Sequence, residues 1–113
     1  MKRNNMRHYV DFITYQIEAH TTAIYPVERA AEYLMLGLAG EVGEVTSLLA
    51  KEIRDDKPLD QTKLSKELGD VLWFLAEICT AYGMDFEQVA ADNLAKLQSR
   101  RERGVISGSG DNR

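Results

Sequence analysis

The residues best suited to chemistry come as one short helical phrase stated twice. Glu41-Val42-Gly43-Glu44-Val45 returns as Glu67-Leu68-Gly69-Asp70-Val71, and Leu49-Ala50 is answered by Leu75-Ala76. Each copy spaces two carboxylates at i and i+3, on one helix face and about 4.5 Å apart along the axis. Each pair sits on the same shoulder of an apolar stripe: Leu34, Leu38, Val42, Val45 and Leu49 in the first copy, Leu64, Leu68, Val71, Leu75 and Cys79 in the second. If the stripes pack antiparallel, Glu41, Glu44, Glu67 and Asp70 converge beside the seam. Four acids that close repel one another unless a cation neutralises them, and hard oxygen ligands favour Mg²⁺, with Mn²⁺ as the alternative.

The elements that must position these acids are helices, because no segment alternates with period two for long. A first helix is expected from about Arg7 to Ala19, with Tyr9, Phe12, Ile13, Gln16 and Ile17 on one buried face. Pro26 opens a second helix that runs from Val27 to about Arg54. Its three glycines, Gly37, Gly40 and Gly43, each cost about 1 kcal/mol relative to alanine. The spacing leaves two explanations open: close approach of a helix or ligand beside Glu41 and Glu44, or tight helix packing alone. Asp55-Asp56-Lys57-Pro58 ends this helix, Asp60 caps a third that reaches about Tyr82, and Gly83 closes it in the left-handed conformation. Asp85 caps a fourth with Gln88 at capping-box spacing, and Gly104 stops it after Arg103. The expected fold is all-α, a four-helix bundle-like domain over residues 1–104. Residues 105–113 are too poor in apolar side chains to order themselves and are expected to form a flexible tail.

Composition narrows the function. At 113 residues the chain is one domain, and its net charge of −4 argues against a nucleic-acid partner. No stretch is expected to be long and apolar enough to cross a membrane, and the N-terminus lacks the apolar run of a signal peptide. Cys79, the single cysteine, falls on an apolar stripe and reads as a small buried hydrophobe in a cytoplasmic protein. Di-iron bundles need Glu-x-x-His, whereas the fourth position of each motif here is Glu44 or Asp70. On the fourth helix Asn93, Lys96, Arg100 and Arg103 form a polar face. Asn93 and Lys96 lie nearest the apolar stripe and can reach phosphates, while Arg100 and Arg103 are equally well explained as solvated. Lys51, two turns beyond Glu44, is a further phosphate candidate. Glu77 reads as a solvated helix residue, and Trp73 as a core or interface residue rather than a stacking platform.

These residues resemble a known family. Gly40-Glu41-Val42-Gly43-Glu44 followed by Glu67-Leu68-Gly69-Asp70 is similar to the E-x-x-E…E-x-x-D signature of MazG-like nucleoside triphosphate pyrophosphohydrolases. Thr22-Ala23-Ile24-Tyr25-Pro26, Asn93-Leu94-Ala95-Lys96-Leu97 and Arg103-Gly104 with Gly108-Ser109-Gly110-Asp111 extend the resemblance over most of the chain. It implies an all-α oligomeric enzyme, a dimer or tetramer. Such an enzyme hydrolyses the α–β anhydride of (deoxy)nucleoside triphosphates to monophosphate and pyrophosphate. Mg²⁺ would be held by Glu41, Glu44, Glu67 and Asp70, with Glu41 or Glu44 as the proton acceptor. A phosphoribosyl-ATP pyrophosphohydrolase-like enzyme, a non-catalytic Mg²⁺-nucleotide sensor and a protein-contact bundle are the competing readings.

Overall fold

The computed structural model describes residues 10–113. They form α1 (Phe12–His20), a 3₁₀ turn (Val27–Arg29), α2 (Ala30–Asp55), α3 (Gln61–Ala81) and α4 (Phe86–Glu102), with no strand among the described residues. The expected start of the first helix at Arg7, and Tyr9 on its face, lie outside the described residues. Within them α1 begins at Phe12, because the Asp11 carboxylate accepts the Thr14 N–H at 2.6 Å and caps the helix there.

Local chemistry sets most other boundaries. Pro26 stands in extended conformation before the 3₁₀ turn, so the second helix tightens through Val27–Arg29 before becoming α-helical at Ala30. It ends where Asp56 turns left-handed at φ 50°. Asp60 accepts from the N–H groups of Thr62 and Lys63 and starts α3. At the other end Met84 N–H bonds Cys79 C=O and Gly83, at φ +67°, reverses the chain. The capping box expected at Asp85 does not form. Gln88 instead donates to Asp92, and the Phe86 N–H at the start of α4 is taken by Gln16 Oε1 from α1 at 2.9 Å. The same Gln16 donates to Thr80 Oγ1 and Met84 C=O, so one side chain ties α1 to the α3–α4 turn.

The central unit is the α2–α3 hairpin, closed by the short connection after Asp55. Gly37 meets Phe74, and Glu41 meets Asp70 four residues on; as one number rises the other falls, which is antiparallel pairing. Leu34 is fully buried and Phe74 nearly so. A Cβ on Gly37 would collide with the Phe74 ring, so this glycine is explained by close helix packing. Gly40 and Gly43 have open space where a Cβ would stand.

A second core lies at the far end of α3, where Ala76, Cys79 and Phe86 are buried with Tyr15 and Leu72 against them. Phe12 meets Phe86 edge-on at 5.0 Å between ring centroids. The face expected to bury α1 is therefore only partly used: Ile13 and Ile17 stay exposed while Tyr15 and Ala19 pack inward. Both stripes are likewise buried only in part, with Val42, Leu49, Leu68 and Leu75 open. One expectation fails outright. By length and composition alone, Val27–Asp55 is apolar enough to cross a membrane. Its charges cluster at the ends, leaving Glu41 and Glu44 alone in a long apolar middle.

The segment expected to be a flexible tail curls back on α4. Arg113 donates to the carbonyls of Val105, Ile106 and Gly110, and Arg103 donates to Arg113 C=O. Apolar content gave no sign of this order, because polar contacts to backbone carbonyls supply it.

Candidate functional site

Glu41 projects from the middle of α2, and Glu67 and Asp70 from the facing stretch of α3. Each offers a carboxylate oxygen, and these oxygens lie within 4.8 Å of one another. Glu41 and Glu67 are half-buried, Asp70 is exposed, and Gly40, Gly43 and Gly69 leave the surrounding helix surface bare. Burial pushes the Glu41 carboxyl above its usual range. The negative charges of Asp70, Glu67 and Glu44 push the same way, and so does hydrogen bonding with Glu67. The cluster is thus short of positive charge, and an all-oxygen anionic set of this spacing fits a divalent hard cation.

The sequence-derived site residues divide into those brought together and those kept apart. Glu41, Glu67 and Asp70 converge as expected from the doubled phrase. Glu44 is exposed and outside that group, though close enough for its charge to act on Glu41. Lys51 stands toward the hairpin end, where its charge helps Arg54 hold the Asp55 carboxyl below the usual value. Asn93 is exposed on α4. Lys96 Nζ and Arg100 Nη2 both donate to Asp111 Oδ1, at 3.0 and 2.9 Å. Helix α4 packs on α1 and α3 and not on α2. Within one chain, then, the helix that carries Asn93, Lys96 and Arg100 does not pack on the helix that carries Glu41.

Two residues take roles that spacing did not show. Glu77, read from the sequence as a solvated residue, is fully buried. Its Oε2 accepts from Tyr25 OH at 2.5 Å and lies 3.0 Å from His20 Nδ1, while Oε1 has no partner. Burial, and then the bond to Glu77, push the Tyr25 phenol up to about 12. Trp73 is also accounted for, since its Nε1 donates to Thr22 Oγ1 and Ala19 C=O. Together these bonds fasten the Thr21–Pro26 link onto α3, one to two turns from Asp70. The signal for Glu77 was present: it interrupts an otherwise apolar run from Val71 to Cys79, and a helix apolar all round is a buried one. A cavity of about 510 Å³ is lined by Ile13, Gln16, Ile17, His20, Met84 and Asp85, and by none of the converging acids.

Comparison with known proteins places this geometry in context. The family model described as the MazG nucleotide pyrophosphohydrolase domain matches residues 29–105, which contain all three converging acids, Glu44 and the whole of α4. The chain is similar to the Gene 37 protein of Mycobacterium phage L5, at 41% identity over 109 residues, covering 88% of this chain and 96% of that protein. No solved structure matches the chain significantly.

Proposed function

The chain belongs to the MazG nucleotide pyrophosphohydrolase family, and from that premise we propose that it hydrolyses (deoxy)nucleoside triphosphates at the α–β anhydride. The products are a nucleoside monophosphate and pyrophosphate. The observation that supports this reading most is the meeting of Glu41, Glu67 and Asp70 from two helices on one spot. Those residues would hold Mg²⁺, or Mn²⁺ in its place, with Glu44 added from the exposed next turn. When bound, the cation supplies charge neutralisation on the phosphates and makes the attacking water more acidic.

The chain's own groups do the rest. The water oxygen joins the phosphorus under attack, the bond to the bridging oxygen breaks, and pyrophosphate leaves with that electron pair. Glu41, half-buried at the meeting point of the two helices, is the preferred acceptor of the water's proton. Glu44 is the second choice. Lys51, Asn93, Lys96 and Arg100 are the proposed partners of the phosphates. For the three on α4 to meet Glu41 on α2, a second copy would bring them, which favours a homo-oligomer, dimer or tetramer, working in the cytoplasm. The test is pyrophosphate release from a panel of nucleoside and deoxynucleoside triphosphates and phosphoribosyl-ATP, with Mg²⁺ and with chelator. Metal-dependent release from the triphosphates is expected. Nucleotide binding without release would turn the reading into that of a sensor.

A further inference from the structure

We propose that Asp111 is an internal competitor for phosphate: the tail seats its carboxylate on Lys96 and Arg100, and substrate must displace it to reach them. This deepens the hydrolase reading and rests on it for the identity of the displaced anion. The geometry is that of a cation pair already holding an anion. Asp111 Oδ1 accepts from both Lys96 Nζ and Arg100 Nη2, and Asp111 C=O accepts from the same Nη2 at 2.8 Å. Arg100 is buried, at 5% exposure, and its Nε has no partner. A guanidinium edge is built to grip an oxyanion through two parallel N–H bonds. Asp111 takes one nitrogen of the fork and leaves the other empty, so the site is better matched to a group with more oxygens. A phosphate offers three and carries more charge than a carboxylate.

The tail is also constructed to let go. Asp111 has a 79% exposed side chain and Lys96 one that is 39% exposed, so an incoming anion meets the pair from solvent. The Lys96–Asp111 pair opens to water and holds weakly, while Arg100, with a 6% exposed side chain, meets the anion from the protein side. Gly108 and Gly110, at φ 118° and 87°, flank Ser109 just before Asp111 and give the chain freedom to swing. Arg113, bonded to Val105, Ile106 and Gly110, keeps the released loop near α4. The tail is a latch over an oxyanion site.

The test measures inorganic pyrophosphate binding by calorimetry with the full-length wild type, Asp111→Asn, Asp111→Ala and Lys96→Gln, each checked for helicity. A latch closed about nine-tenths of the time weakens apparent affinity about tenfold. Both Asp111 variants should therefore bind pyrophosphate about tenfold more tightly, and Lys96→Gln more weakly. Equal or weaker binding by the Asp111 variants overturns the proposal, since Asp111 would then be holding the cations in place. Nucleotide turnover is measured separately. Tight pyrophosphate binding by Asp111→Asn in a protein that turns over no nucleotide refutes the hydrolase reading and leaves the latch standing.

Discussion

Glu41 and Asp70 differ in burial although they share a site, and the difference separates two experiments. Asp70 is exposed and lies on a helix shoulder, so Asp70→Asn should leave the fold intact. Loss of that ligand removes charge neutralisation and water activation together, and pyrophosphate release should fall on the order of a hundredfold or more. An Asp70→Asn protein as active as wild type would place the chemistry elsewhere. Glu41 reports through stability instead. Its folded-state carboxyl titrates above the ordinary value of 4.5, first from burial and then from Asp70, Glu67 and Glu44. A raised carboxyl contributes stability that is fully present below its unfolded value and lost as pH climbs through the folded one. In chelator, then, Glu41→Gln should melt at a higher temperature than wild type above that window and at the same temperature well below pH 4.5. Adding Mg²⁺ should raise the wild-type melting temperature and raise it less in the variant. Parallel melting curves at every pH would show that the acids do not feel one another.

At the level of the helices, the three glycines of α2 make opposite predictions from one spacing. Gly37→Ala drives a methyl into Phe74 and should destabilise by about 1–3 kcal/mol, the usual cost of overpacking. Gly40→Ala meets open space and should stabilise the isolated helix by up to about 1 kcal/mol. Chemical denaturation of both variants checks the pair, and a Gly40→Ala loss as large as that of Gly37→Ala would mean that something in the assembled protein packs there. The same contrast shows what the sequence could express. Boundaries written in local chemistry were legible: Asp60 and Gly83 delimit α3 as their types require, and the doubled acid phrase located three of the converging carboxylates. Contacts that depend on distant side chains were not. The Asp85–Gln88 capping box does not form, with Gln88 turned to Asp92 and Gln16 reaching across from α1 to the Phe86 N–H, and the tail is ordered by Arg113 rather than by apolar burial. Glu77 stood as the lone charge in an apolar run, and only the fold supplies Tyr25 and His20 to receive it.

At the level of the whole molecule, the described chain is open for its length. Its radius of gyration is 17.4 Å, against about 13 Å for a compact domain of roughly 100 residues. Large apolar side chains also stay open to solvent. Leu36 and Ile53 on α2 are each 75% exposed, and Leu49 between them is 55% exposed. Large aliphatic side chains left open on more than one face of a helix are what monomeric proteins avoid and interfaces use. Leu36, Leu49 and Ile53 stand on the helix that carries Glu41, and α4, with Lys96 and Arg100, is held off that helix within one chain. Assembly and completion of the site should therefore be one event. Full burial of one leucine or isoleucine is worth about 1.5–3 kcal/mol, and each 1.4 kcal/mol is about tenfold in association. Placing a charge at two of these positions, as in Leu36→Lys with Ile53→Lys, should weaken association by about a hundredfold or more. Light scattering at micromolar concentration should give a dimer or larger for the wild type and a smaller species for the double variant. Pyrophosphate release should fall with it, although Glu41, Glu67 and Asp70 are untouched. Full activity from a variant that scatters as a monomer would show that one chain suffices, and that Lys96 and Arg100 serve something other than a neighbour's phosphates.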